Sequence, residues 1–157
     1  MAPLTSTVMM SKVILTVGAP GSGKSTWAKE YCAATGAQQV ERDMIRLDHD
    51  LPFGTDEGRV TAIHRGYITA YLSKGCDVVV SDLNLSPKNR RSLIQHIGKD
   101  AEVWYKLFTD VSRATCLERN NQRPDRVPDH VINDLYDNLI DTNKFNKGIG
   151  PQERIMS

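Results

Sequence analysis

At 157 residues, with 39% hydrophobic and 25% charged side chains, the chain is long enough for one domain with its own core, and its composition is neither disordered nor membrane-like. A net charge of +1 removes any whole-molecule electrostatic argument for a polyanionic partner, so a nucleic-acid surface would have to be a local patch. The three cysteines, Cys32, Cys76 and Cys116, follow neither a disulfide nor a metal-ligand spacing and read as free thiols.

Residues 1–11 read as a leader, with Met9 and Met10 as alternative starts, and residues 12–157 as a single domain. The apolar run at 13–17 is too short for a secretory or membrane segment, which predicts a cytoplasmic protein with no membrane partner. Residues 12–17 (KVILTV) predict a buried parallel strand, being β-branched and ending at a glycine. Residues 18–26 (GAPGSGKST) then fit G-x-x-x-x-G-K-[ST], the P-loop pattern, which arises by chance in roughly 0.5% of chains this long.

Gly18, Gly21 and Gly23 let backbone N–H groups, with Ser22 among them, curl around phosphates, and the helix predicted from Lys24 to about 34 points its positive end at them. In this pattern Lys24 reaches the β- and γ-phosphates, Ser25 offers its hydroxyl to Mg²⁺, and Thr26 adds a further hydroxyl. ATP and Mg²⁺ are the expected cofactors.

A short second strand at 39–41 delivers Arg42 and Asp43 at its carboxyl end, followed by a helical turn at 44–47. Asp43 suits proton acceptance from an attacking hydroxyl, and equally suits the N-cap of that turn. Arg46 lies on the same face, where it either grips an anionic acceptor or is solvated. Residues 56–74 carry Val60, Ile63, Tyr67, Ile68 and Tyr71 on one helical stripe, closed by Gly75.

A third strand at 76–80 ends at Asp82 and Asn84, the place where P-loop proteins keep an acidic residue near the metal and its waters. Ser86 and Pro87 start a helix to Ile97, on which Lys88, Arg90 and Arg91 read as a solvated face before a backbone groove. A fourth strand covers 102–108, a helix 111–123 and a last helix 128–141, with the tail 142–157 unassigned.

Arg119 and Arg123 fall four apart and lead into the proline-bracketed turn 124–128, which suits either a lid over a triphosphate or a solvated helix face. His49, His64, His96 and His130 are scattered without metal-ligand spacing and receive no catalytic role. Trp27, Trp104, Tyr67 and Tyr71 are assigned to core packing. Alternating strands and helices predict a three-layer α/β P-loop fold, with about four parallel strands and a helical lid.

The segments VILTVGAPGSGKSTWAKE, ERDMIR, VVVSDLNLSPKNRR and CLERNNQR…VP, in this order, resemble the kinase domain of the bacteriophage 5′-polynucleotide kinases over residues 12–139. The resemblance implies transfer of the ATP γ-phosphate to a 5′-hydroxyl end of DNA or RNA. Asp43 matches the general base of that family, Arg46 the arginine on the acceptor's 3′-side phosphate, and Arg123 the lid arginine on the ATP phosphates. Arg119 and Asp82 also fall on motif positions, Asp82 as part of a metal-water network or as a brace for a lid arginine. Val127 matches a residue at the terminal base, and Asn84 belongs to the acceptor side.

Two departures stand out. The connection between Arg46 and the helix at 56 is short, and the Asp-x-Asp-Gly-Thr phosphatase motif is absent, since Asp48-His49-Asp50 runs into Leu51-Pro52. A kinase without 3′-phosphatase activity is expected. The rival readings are a small-molecule hydroxyl kinase on the same scaffold and an ATP-gated regulatory module.

Overall fold

The computed structural model describes residues 10–157; the proposed start at Met9 and most of the 1–11 leader lie outside them. Strand β1 (Lys12–Val17) is the middle of a five-stranded, all-parallel sheet of order β2-β3-β1-β4-β5. Its neighbours are β2 (Gln38–Val40), β3 (Val78–Val80), β4 (Glu102–Leu107) and β5 (Glu153–Ile155).

Burial on both faces explains why β1 reads as a continuous apolar run. Val13, Leu15 and Val17 pack with Val60 and Ile68 of α3 (Glu57–Ser73), Leu93 and Ile97 of α4 (Pro87–Ile97), and Phe145 of α7 (Thr142–Gly148). Ile14 faces the other way, onto Ala28 of α1 (Lys24–Thr35), with Trp27 and Tyr31 beside it. The remaining helices are α2 (Arg42–Asp48), α5 (Arg113–Asn121) and α6 (Asp129–Asn138). The three-layer α/β expectation holds, with one strand more than anticipated.

That strand is in the unassigned tail. β5 pairs with β4 through Val103↔Glu153, Trp104↔Arg154 and Tyr105↔Ile155, and α7 precedes it. A three-residue polar edge strand carries no periodicity to detect, and its pairing partner supplies the register. Two further differences are local. The helix expected over 111–123 stops at Asn121. Tyr67, expected in the core, is 38% exposed, stacked on Tyr71 and bonded to His49.

Because β1 sends its chain to β2 and β3 on one side while β4 and β5 lie on the other, the strand order switches at β1. The crevice at the carboxyl end of that strand is where an open α/β sheet binds ligands. Among the described residues no helix is long and apolar enough to cross a membrane.

Candidate active site

The P-loop sits in that crevice. The Gly18 amide leaves β1 by donating to the Leu83 carbonyl at 3.1 Å, and the Ser22 amide closes a turn on the Ala19 carbonyl at 3.2 Å. Gly21 and Gly23 have φ of 81° and 102°, left-handed values that an L side chain resists. A Cβ at Gly21 would also stand 2.7 Å from the Cys116 carbonyl oxygen. The loop therefore packs against α5 too closely for any other residue.

Helix α1 begins at Lys24 with Gly23 as its N-cap, no side chain capping it and no acidic residue in its first turn. Its first amides are left aimed into the crevice, and together with the helix dipole they form a site for an anion. Lys24 is 7% exposed, and its Nζ donates to the Ala19 carbonyl at 2.6 Å and to Ser22 Oγ at 3.3 Å. Burial lowers its pKa to about 8, against the opposing pull of Cys116 and Glu41. A cation held at such cost is poised for a phosphate that restores its preference for charge.

Around Lys24 lies a cavity of about 590 Å³, lined by the loop, Ser25, Thr26, Trp27, Arg119 and Arg123. Arg119 donates to the Gly21 carbonyl at 3.3 Å, and Arg123 pairs with Asp125 at 3.3 Å, both side chains being exposed. Since α5 ends at Asn121, Arg123 rides on the turn after the helix rather than on the helix face shared with Arg119. That turn is pinned by Asn120, fully buried, which donates to the Val127 carbonyl at 2.7 Å and accepts the Val127 amide at 3.1 Å. Val127 itself is half-buried against Ala19, Cys116 and Ile132.

Asp43 is the second residue of α2 and does not cap it. Asp82 takes that part: its Oδ1 accepts the Arg42 amide at 2.7 Å, while Oδ2 meets His64 Nε2 at 2.7 Å. The Asp43 carboxylate has no hydrogen-bond partner among the described residues. Desolvation, followed by the charges of Asp82 and Asp125, holds its carboxyl above the ordinary range, with Arg123 and Arg46 acting the other way. Asp43 is thus a carboxylate with raised affinity for a proton, not engaged by the protein, and close enough to Arg123, which lines the Lys24 cavity, to feel its charge.

Glu41, at the end of β2, accepts from Ser25 Oγ at 3.1 Å, and burial and Asp82 push its carboxyl upward. Ser25 and Glu41 together form an oxygen donor set beside Lys24, of the hard-ligand kind that suits Mg²⁺.

Several residues sit differently from their expected roles. Asn84, at a left-handed φ of 50°, turns its amide inward to the carbonyls of Thr16, Val80 and Asp82, bracing the strand ends instead of facing an acceptor. Arg46 is buried, donating to the carbonyls of Pro52 and Thr55 and to Glu57. Arg90, read as solvated, lies over Phe145 and bonds the carbonyls of Asn84 and Leu85. Ser86 caps α4 through the Asn89 amide, as its sequence implies.

Sequence reasoning passed over Glu41, His64, Asn120 and Glu57. His64 had a visible signal: it lies midway between Val60 and Ile68, four residues from each, on the inward stripe of α3. Asn120 likewise stands four residues after Cys116, on the buried side of α5.

The chain is 28% identical over 166 residues to a bifunctional polynucleotide kinase/RNA ligase of Autographa californica nuclear polyhedrosis virus, covering 92% of this chain and 23% of that protein. It is 24% identical to the L-seryl-tRNA(Sec) kinase of Methanococcus maripaludis, over 80% of this chain and 51% of the relative. The chain thus spans about half or less of the curated relatives it matches.

Among solved structures, a chain of the Pnkp1/Rnl/Hen1 RNA repair complex superposes with a TM-score of 0.79 at 22% identity, over 96% of this chain and 50% of that one. A gluconokinase from Sinorhizobium meliloti superposes with a TM-score of 0.56 at 18% identity, over 94% and 82%. Both likenesses are of fold. A family model described as an AAA domain matches residues 13–140, so the chain belongs to that family, with the P-loop kinase architecture of its neighbours.

Proposed function

We propose that residues 12–157 form an ATP-dependent 5′-polynucleotide kinase domain that transfers the γ-phosphate of ATP to a 5′-hydroxyl end of DNA or RNA and has no 3′-phosphatase activity. The observation that carries the reading is an uncapped α1 terminus with Lys24, together with an unengaged Asp43 that feels the charge of Arg123 on the Lys24 cavity. The baculovirus relative's description as a polynucleotide kinase/RNA ligase supports the choice of acceptor. Bacteriophage origin, a cytoplasmic setting and repair of broken ends belong to the same reading.

In this mechanism the amides of residues 18–26, Lys24, Arg119 and Arg123 bind and neutralise the triphosphate. Ser25, with Glu41 behind it, is the group that would hold Mg²⁺, whose charge would offset that of the phosphates. Asp43 accepts the proton of the 5′-hydroxyl as its oxygen bonds to the γ-phosphorus and the bond from that phosphorus to the ADP oxygen breaks. The loose transition state asks mainly for alignment and charge neutralisation, which Lys24 and Arg123 supply, and Asp43 matters less than Lys24 for binding ATP. Arg46 is assigned to the acceptor's 3′-side phosphate and Val127 to the terminal base. Asp82 acts by positioning α2.

The test is transfer of labelled γ-phosphate from ATP with Mg²⁺ to a 5′-hydroxyl oligonucleotide, with a 5′-phosphorylated oligonucleotide and a nucleoside in parallel. Label on the 5′-hydroxyl oligonucleotide alone is expected. Label on the nucleoside would favour a small-molecule kinase, and label on no acceptor a regulatory nucleotide-binding module.

A further inference from the structure

Glu57, the first residue of α3, divides its two carboxylate oxygens between two guanidinium groups on α2. Oε2 accepts from Arg42 Nη2 at 2.6 Å, and Oε1 accepts from Arg46 Nη2. Each arginine is also held by neutral groups. Arg42 Nη1 donates to Thr61 Oγ1 at 3.0 Å, and Arg46 Nη1 to the carbonyls of Pro52 and Thr55 at 2.8 and 2.7 Å. The two guanidinium groups would therefore stay oriented if Glu57 withdrew. Two converging, pre-set guanidinium forks bridged by one oxyanion are the arrangement that binds phosphate oxygens.

The oxyanion present is the displaceable member of the set. Glu57's side chain is 61% exposed, whereas Arg46 is 7% exposed and loses its carboxylate partner if nothing replaces it. A partly exposed ion pair contributes little net energy, while an uncompensated buried cation is costly, so an incoming anion meets a weak competitor and a strong acceptor. Asp43 lies between the two arginines in sequence, on the first turn of α2.

We infer that Arg42 and Arg46 form a two-arginine clamp for the phosphate nearest the reacting hydroxyl, and that Glu57 occupies this clamp as an internal stand-in until the acceptor displaces it, an assignment that rests on the polynucleotide kinase reading for the identity of the acceptor. Arg42 thereby becomes a specificity-determining residue: it favours an acceptor that carries a phosphate next to its 5′-hydroxyl nucleoside over one that does not. The short connection between α2 and α3 has a function here, since it brings Glu57 within reach of both arginines.

The clamp is tested by equilibrium binding of thymidine 3′-monophosphate and of thymidine to the full chain, by calorimetry, in the native protein and in the Glu57→Gln and Arg42→Ala variants. Glu57→Gln is expected to tighten thymidine 3′-monophosphate by about three- to fivefold, the upper end for a partly exposed ion pair, and to leave thymidine unchanged. Arg42→Ala is expected to weaken the nucleotide and again leave thymidine unchanged. Unchanged or weaker nucleotide binding in Glu57→Gln overturns the stand-in, and unchanged binding in Arg42→Ala overturns the clamp even if the first variant fails to fold. The phosphoryl-transfer assay separates the two readings. A gain on Glu57→Gln without transfer to any oligonucleotide would keep the clamp and remove the kinase assignment, and transfer without the gain would do the reverse.

Discussion

His64 Nε2 stands 2.7 Å from Asp82 Oδ2, and the other oxygen of that carboxylate accepts the Arg42 amide at 2.7 Å. Asp82 therefore ties the end of β3 to α3 and to the first turn of α2, the turn that presents Asp43. Both oxygens are in use, which suits a strut better than a direct metal ligand.

Replacing His64 by Ala is expected to cost about 2 kcal/mol, since it leaves the largely buried Asp82 without one of its donors. Chemical denaturation measures this. Kinetics separate strut from ligand: Asp82→Asn still accepts the Arg42 amide and should keep much of the turnover that Asp82→Ala loses. Equal loss in both variants would instead favour a role for the carboxylate charge itself.

Asp43 gives a pH-dependent prediction. Its folded pKa is raised, chiefly by desolvation and by Asp82, so the folded chain holds that proton more tightly than the unfolded chain does. The associated penalty is fully present at neutral pH, shrinks as pH falls through the folded value, and is gone below the ordinary carboxylate pKa. Asp43→Asn should consequently melt at or above the native temperature at pH 7, with the difference closing in acid, while nucleotide binding persists and turnover is lost. Thermal melts across pH and a transfer assay check the two halves. Near-native turnover in Asp43→Asn would end its assignment as the base.

The elements most legible in the sequence were those whose signal is local. A β-branched run, a glycine pattern and a helix start fall together in residues 12–26, and the structure assembles them in that order. The Ser86 cap is equally local. What escaped is long-range: β5 exists because β4 offers it a register, and Asp82 became a strut only when α3 brought His64 to it. Asn84 shows the same limit, because nothing in the string SDLNLS says that its amide must satisfy three carbonyls at the strand ends. Binding residues drawn in by protein partners are hidden from a reading that has only spacing to work with.

Lys24 links function to a stability cost. Its pKa, lowered to about 8 mainly by burial, corresponds to a penalty on the order of 3 kcal/mol for holding the charge in the folded chain. The penalty is complete below about pH 8 and fades towards the ordinary lysine value, as the unfolded chain becomes the only state that still binds the proton. Lys24→Met should therefore unfold at an equal or higher temperature at pH 7 in the absence of nucleotide, despite losing the bonds to Ala19 and Ser22, and should show no further rise when ATP and Mg²⁺ are added. A melt several degrees below native would mean that those two bonds outweigh the desolvation.

The turn that carries Arg123 depends on Asn120, whose amide reads both the N–H and the C=O of Val127 as a neighbouring strand would. Asn120 is fully buried, so Asn120→Ala leaves two backbone groups to find water or remain unmatched, a loss of about 2 kcal/mol if the turn stays closed. The cheaper relaxation is for residues 123–127 to swing away from α5, because the Arg123–Asp125 pair is exposed and holds little. The variant should thus lose less stability than its burial suggests and more turnover than its distance from Lys24 suggests, with Arg123 displaced from the triphosphate. Kinetics of Asn120→Ala against Arg123→Ala, and of the pair combined, decide it: if both act through one element, the double variant is no slower than Arg123→Ala, and additive losses would show that Asn120 acts elsewhere.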